Sequence, residues 1–257
     1  MSLEQNKIIY SNKESAEHYS KDKYLLAPEK KMLNFISDKN LDSMLDIGVG
    51  AGRTTLHFAK YFKKYTAIDY SESMIEKCKQ IFIKSNYAFI QQDARNLGSF
   101  PDNSFDFVMF SFNGIDCVSI DDRALVLNEV KRVLKVGGIF FFSVHNIFSI
   151  PLLYSLQLSK NPLKWLKEFK RVKKVNALNP KFNDINLKNA IEMIDGDIDF
   201  KAKYVYIKPN AQKQDLESLG FSEVIIYSLK NGYVIDCSEA NQEQIKDSWV
   251  YYSCKKQ

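Results

Sequence analysis

The run MLDIGVGAGRTT at residues 44–55 restricts what this chain can fold into more than any other stretch. An apolar strand ends in Asp46, glycines stand at alternate positions after it (Gly48, Gly50 and Gly52), and a helix-compatible segment opens directly behind them. Glycine lets backbone approach a ligand where a Cβ would collide, and it adopts positive φ at little cost. A helix that starts right after the loop presents unpaired N–H groups and a positive dipole end to a carboxylate or phosphate. Binders of several nucleoside-bearing ligands use such a loop, so residues further along the chain decide between them.

Behind the loop, strand and helix signals alternate. Apolar strand candidates lie at 43–47, 65–69, 87–91, 105–110 and 138–144, with helical segments at 53–61, 71–83 and 121–134 between them. Most of these strands are continuous apolar runs, which suits a sheet covered on both faces, and the spacing predicts βαβ units in a parallel sheet. Residues 1–40 read as one or two polar helices carrying Tyr10, Tyr19 and Tyr24. Residues 41–146 read as the core, and 147–210 as a Lys-rich insertion with a helix over 152–175 that Pro162 interrupts. Residues 211–257 supply a final helix at 211–219 and β-rich runs at 223–229 and 249–254. A chain of 257 residues accommodates this as one α/β domain with an insertion.

The net charge of +5 permits an anionic substrate without demanding nucleic acid. Cys78, Cys117, Cys237 and Cys254 are far apart, which predicts neither a zinc site nor a disulfide scaffold. No apolar run approaches the ~18 residues of a membrane span, and the N-terminus lacks a secretory core. The expectation is a soluble cytoplasmic protein with no membrane partner.

Three carboxylates close the first three strands: Asp46, Asp69 and Asp93. Each sits at the carboxyl edge, where open α/β sheets place their ligand crevice. Asp69 lies 23 residues after Asp46, the spacing of an acid that accepts from ribose hydroxyls. Asp93 is placed to meet an adenine edge. One such Asp is usually a turn or cap residue; three in this order argue for a site.

In these elements the chain resembles the class I S-adenosylmethionine-dependent methyltransferases. The matching pieces are LDIGVGAG (45–52), AIDYSESMI (67–75), QQDARNLGSFPDNSFDFVMF (91–110) and EVKRVLKVGGIFFFSVHN (129–146). The resemblance implies a Rossmann-like, doubly wound, mostly parallel seven-stranded sheet with its last strand inserted antiparallel, an N-terminal helical flap and a helical lid after strand five. It implies S-adenosylmethionine as cofactor, S-adenosylhomocysteine as product, and no metal. By position, Asp46, Gly48, Gly50 and Gly52 would pack on the methionine portion, and Asp69 would hold the ribose. Asp93 and Ala94 would contact adenine. Tyr70, Met74, Phe110 and Ser111 complete the cofactor set, with 110–112 bordering the methyl. A nicotinamide-dependent enzyme would need pyrophosphate contacts and does not account for the later pieces.

His145, after the fifth strand, is the candidate general base, since an imidazole of ordinary pKa ~6.5 suits that duty. Asp116 orients it, binds a substrate hydroxyl, or caps the next turn; the sequence leaves these open. Asn113 and Asn146 are expected on the substrate side, and Tyr10 and Tyr19 in a flap whose aromatic faces would attract a sulfonium. The Lys-rich run at 158–174 reads first as a solvated face and second as a guide for anions. The acidic DGDIDF stretch, with Asp195, Asp197 and Asp199, does not continue a calcium-loop pattern.

The narrower resemblance is to bacterial enzymes that methylate sugars, including nucleotide-linked sugars for surface polysaccharides. This predicts a small-molecule acceptor, methylated at oxygen, with a phosphorylated or nucleotide-linked form allowed by the charge. The alternatives are an RNA methyltransferase footed on the basic insertion, and a non-catalytic cofactor-binding module. Oligomeric state is not legible.

Overall fold

The structure is a computed structural model that describes residues 4–11, 13–156, 161–185, 188–236 and 241–257. Cys237 and Lys160 lie outside the described residues. In chain order the elements are α1 (Glu4–Tyr10), α2 (Lys13–Tyr19), α3 (Ala27–Ser37), β1 (Ser43–Ile47), α4 (Thr55–Phe58), β2 (Lys64–Asp69) and α5 (Glu72–Ile81). Next come β3 (Ala88–Gln91), β4 (Phe105–Phe110), α6 (Arg123–Val133), β5 (Leu134–Asn146), α7 (Ile150–Tyr154), α8 (Pro162–Leu178) and α9 (Phe182–Ile185). The chain closes with β6 (Ala190–Met193), β7 (Tyr204–Ile207), α10 (Pro209–Ser218), β8 (Phe221–Ser228) and β9 (Trp249–Lys256).

The first five strands run parallel in the order β3-β2-β1-β4-β5, and β9 inserts antiparallel between β5 and β8. That is the expected seven-strand arrangement. The continuous apolar runs are its consequence, because successive side chains on a strand face opposite ways and both faces here are covered. On β5, Phe140, Phe142 and Val144 enter one core while Ile139 and Phe141 enter the other. Tyr252 stacks on Phe142 at 5.1 Å on the first face, and Tyr251 on Phe141 at 5.2 Å on the second.

Two further strands depart from the expectation. β5 overruns β4, and its last residues pair with β7 on one side (His145 with Tyr206, Asn146 with Ile207) while Trp249 of β9 faces His145 on the other. β6 pairs antiparallel with β7, so the 147–210 insertion is partly sheet rather than all helix. Four-residue strands among polar neighbours give too short a pattern to stand out from loop. The single interrupted helix over 152–175 is instead two, α7 and α8. Pro162 begins α8 rather than breaking it, since the missing N–H costs nothing in a first turn and Asn161 caps the helix by accepting from the N–H groups of Leu163 and Lys164.

α3 is tied to the sheet through a buried carboxylate. Glu29 on α3 is fully buried and accepts two hydrogen bonds from the Arg53 guanidinium at 2.6 and 2.7 Å. It also accepts from the Leu26 N–H at 2.8 Å, the Tyr251 hydroxyl at 3.1 Å and the Ser111 hydroxyl. Burial alone would push this carboxyl up; the Arg53 pair, Ser111 and Leu26 outweigh it and hold it below the usual carboxylate range. Removing one member of a buried pair strands the other charge. Glu29→Ala should therefore lose about 3–5 kcal/mol, read as a lower urea midpoint. A variant as stable as the parent would show that the network carries no net weight.

Candidate active site

A cavity of about 390 Å³ opens at the carboxyl ends of β1, β2, β4 and β5, within the ~300–1,000 Å³ usual for small-molecule sites. Its floor is the glycine loop. Gly48 has φ +63° and a Cβ there would sit 2.7 Å from the Phe110 ring, so only glycine lets the backbone lie flat on that ring. Asp46, Gly48, Gly50, Asp69, Tyr70 and Met74 line the wall on the β1–β2 side, and Asp93 and Ala94 continue it. Phe110, Ser111, Asn113 and His145 line the opposite wall, with Tyr10 and Tyr19 over the opening.

Two residues predicted to bind ligand do not line the cavity. Gly52, at φ +89°, turns its α-carbon toward Phe82, which a Cβ would meet at 2.5 Å; it shapes the loop from behind. Asn146 is fully buried on the side away from His145, as strand alternation requires. Its Oδ1 accepts from the Phe148 N–H at 3.0 Å, and its amide donates to the carbonyls of Ile245 and Asp247 at 2.9 and 3.0 Å. Asn146 is a scaffold residue.

The carboxylates have distinct settings. Asp46 accepts from the hydroxyls of Thr54 (2.5 Å) and Tyr65 (2.7 Å), and burial pushes its carboxyl up to about 6. Asp69 is pushed up to about 6 by the same cause, while the N–H groups of Ser71 and Gly50, each at 2.9 Å, oppose the rise and fix its orientation. Asp93 is gripped by Arg95 through Nε and Nη2 at 3.1 and 2.7 Å, and Arg95 reaches Asp122 at 2.9 Å.

On the opposite wall the contacts of Asp116 decide among its three possible roles. Asp116 is fully buried and does not line the cavity. Its Oδ2 accepts from the His145 backbone N–H at 2.6 Å and meets His145 Nδ1 at 2.8 Å; its Oδ1 accepts from Arg123 at 2.7 Å. A carboxylate only accepts, so Nδ1 carries the ring hydrogen and Nε2 presents its lone pair toward Asn113, whose amide nitrogen is 3.3 Å away. The imidazole is boxed by Tyr206, Tyr204 and Trp249 at centroid distances of 4.7, 5.3 and 5.8 Å. Phe112 and Asn113 both hold positive φ (57° and 59°), a conformation costly for side-chain-bearing residues, pinned by the Asn113 N–H donating to Ser143 Oγ at 2.8 Å.

Phe112 lines the cavity as its place after β4 predicts; Arg53, Asp197, Tyr204 and Trp249 also line it, and their place there is not evident from the sequence. Arg53 directly succeeds Gly52, which is a signal, yet its buried partner lies 24 residues upstream and its guanidinium packs over Phe112 at 4.9 Å. Tyr204 is reached only through the unforeseen β7; its hydroxyl lies 2.6 Å from that of Tyr10. Burial raises the hydroxyls of both, and that of Tyr19 to about 12. Among the described residues no group of three His, Cys, Asp or Glu could hold a metal ion.

Known proteins match this arrangement. Residues 45–142 match the methyltransferase domain family. A putative methyltransferase of Bacillus subtilis, YqeM, is 32% identical over 109 residues, 42% of this chain and 44% of its own length. The ubiquinone/menaquinone biosynthesis C-methyltransferase UbiE of Escherichia coli is 36% identical over 103 residues, 37% of this chain and 39% of its own. The chain thus spans less than half the length of these curated relatives. A Burkholderia thailandensis 1,6-didemethyltoxoflavin-N1-methyltransferase, solved with its acceptor and S-adenosylhomocysteine, shares the fold at TM-score 0.63 and 13% identity over 99% of this chain and 87% of its own. Over residues 45–142 the chain is thus similar to the methyltransferase domain family, and its sheet has the fold of solved S-adenosylmethionine-dependent methyltransferases.

Proposed function

We propose that this protein transfers the methyl group of S-adenosylmethionine to a small-molecule acceptor held against His145. One observation carries the reading: a single cavity joins the glycine loop and Asp69 on one wall to a histidine on the other whose Nδ1 is anchored by a buried carboxylate. The cofactor-side residues fit the group, because the loop is flattened on Phe110 and Asp69 offers an oriented carboxylate to a ribose. Gly48 and Gly50 would hold the methionine portion, Asp93 and Ala94 the adenine, and Ser111 with Phe110 the region near the methyl. Bound S-adenosylmethionine supplies an already activated methyl. What remains for the protein is alignment, exclusion of water and removal of the acceptor's proton. His145 Nε2 takes that proton once the acceptor displaces the Asn113 amide from it, and Asp116 stabilises the imidazolium formed. Tyr10 and Tyr19 cover the opening.

A hydroxyl acceptor needs such a base most, which supports oxygen as the methylated atom and a hydroxylated molecule such as a sugar as acceptor. A phosphorylated or nucleotide-linked form finds less support, since Arg53 and Arg95 on the lining are each paired with carboxylates. A second reading rests on Asn113: its Oδ1 is buried on the cavity wall without a hydrogen-bond partner, next to His145. An unfilled carbonyl acceptor on that wall suits a nitrogen that bears a hydrogen. Product analysis by mass spectrometry across hydroxyl and amine acceptors separates the two. Tight S-adenosylhomocysteine binding without turnover on any acceptor would instead leave a non-catalytic module, and steeply salt-dependent RNA binding would favour an RNA target.

The Asp69 carboxyl accepts better when ionised, and burial holds its titration near pH 6. S-adenosylhomocysteine affinity in calorimetry should rise as pH climbs through about 6 and then level off. Asp69→Ala should weaken it roughly 10–100-fold and flatten the profile, whereas unchanged affinity would remove Asp69 from the ribose site. His145→Asn should keep product affinity while lowering kcat by ~10²–10⁴-fold; a variant turning over at the parent rate would end its assignment as base.

A further inference from the structure

The lid outside the cavity leaves a large apolar surface bare. Leu152 on α7 and Leu163, Trp165, Leu166 and Phe169 on α8 are between 40% and 71% exposed, and Val175 is the one buried residue of α8. The Trp165 and Phe169 rings stack at 5.7 Å, so they form one surface rather than separate protrusions. None of these side chains lines the cavity. At ~3.6 residues per turn, Trp165, Leu166 and Phe169 share one arc, Lys170 and Lys173 edge it, and Lys164, Lys167 and Lys174 form the opposite arc. The helix's single acid, Glu168, is bound by Arg171 at 2.7 Å.

We propose that α7 and α8 dock this protein on an anionic lipid surface. An amphipathic helix with Trp, Phe and Leu on one arc and lysines beside it lies in a bilayer interface, its apolar side among the acyl chains and its ammonium groups at the phosphates. Charge selects this occupant. A second copy would bring the same lysines against these, whereas anionic headgroups neutralise them. No helix among the described residues is long and apolar enough to cross a membrane, so the contact is peripheral.

The test is co-sedimentation of the full chain with vesicles of phosphatidylglycerol and phosphatidylcholine in equal parts, against phosphatidylcholine alone. Binding should be at least about tenfold tighter to the anionic vesicles and should weaken at about 0.5 M salt. Trp165→Ala/Phe169→Ala and Lys170→Gln/Lys173→Gln should each lose about tenfold or more, with circular dichroism and S-adenosylhomocysteine binding unchanged as folding controls. Equal binding to both vesicles, or none, overturns the proposal whatever the variants do. Retention of binding by both variants overturns it as well, as does a dimer in sedimentation velocity that Trp165→Ala/Phe169→Ala abolishes.

Discussion

The Glu29 carboxylate is the point at which the architecture is most exposed to failure. An ionised group fully out of water is tolerated only when its lone pairs are filled, and here the donors come from four separate parts of the chain. Arg53 belongs to the turn behind the glycine loop, Ser111 to the end of β4, Tyr251 to β9, and Leu26 to the entry of α3. Satisfying one charge therefore fixes four backbone segments relative to one another. The loop lies where it does partly because its neighbouring arginine is pulled beneath it.

Pairing with carboxylates also leaves the cavity with little free positive charge. Arg53 and Arg95 both face the space, yet each is engaged by carboxylates. Asp46 and Asp69 sit in the same wall with their carboxyls pushed up by burial, which means the folded chain gives up ionisation energy there unless a cation arrives. A ligand bearing a sulfonium and an ammonium group meets that need better than an anion would.

Much of this was legible in the sequence. β1 and β4 begin and end where their apolar runs do, because each is buried on both faces and is stopped at once, β1 by the glycine loop and β4 by Ser111. The strand-end carboxylates stood out for the same reason. His145 was readable from its place after a strand of phenylalanines, and strand alternation alone would have turned Asn146 away from it. Other features depended on distance. Nothing near Asp116 announces that Arg123 holds its other oxygen, and nothing near Arg53 announces Glu29. β7 is four residues long, too short to show a period, although it builds the wall beside the imidazole.

The overrun of β5 past β4 has a mechanical consequence. Because β7 is laced to the backbone of His145 and Asn146, swinging the insertion outward would unzip the sheet at the histidine itself. β7 is therefore the costly side of the cavity to displace. α1 is held at the cavity by side-chain bonds that include Asn6 to the backbone of Lys203 at 2.6 and 3.0 Å, Tyr10 to Tyr204, and the Tyr70 and Ser71 hydroxyls to the carbonyls of Asn6 and Tyr10. Bonds of that kind break and re-form without disturbing a ladder, so displacing α1 costs the sheet nothing and leaves the imidazole in its frame.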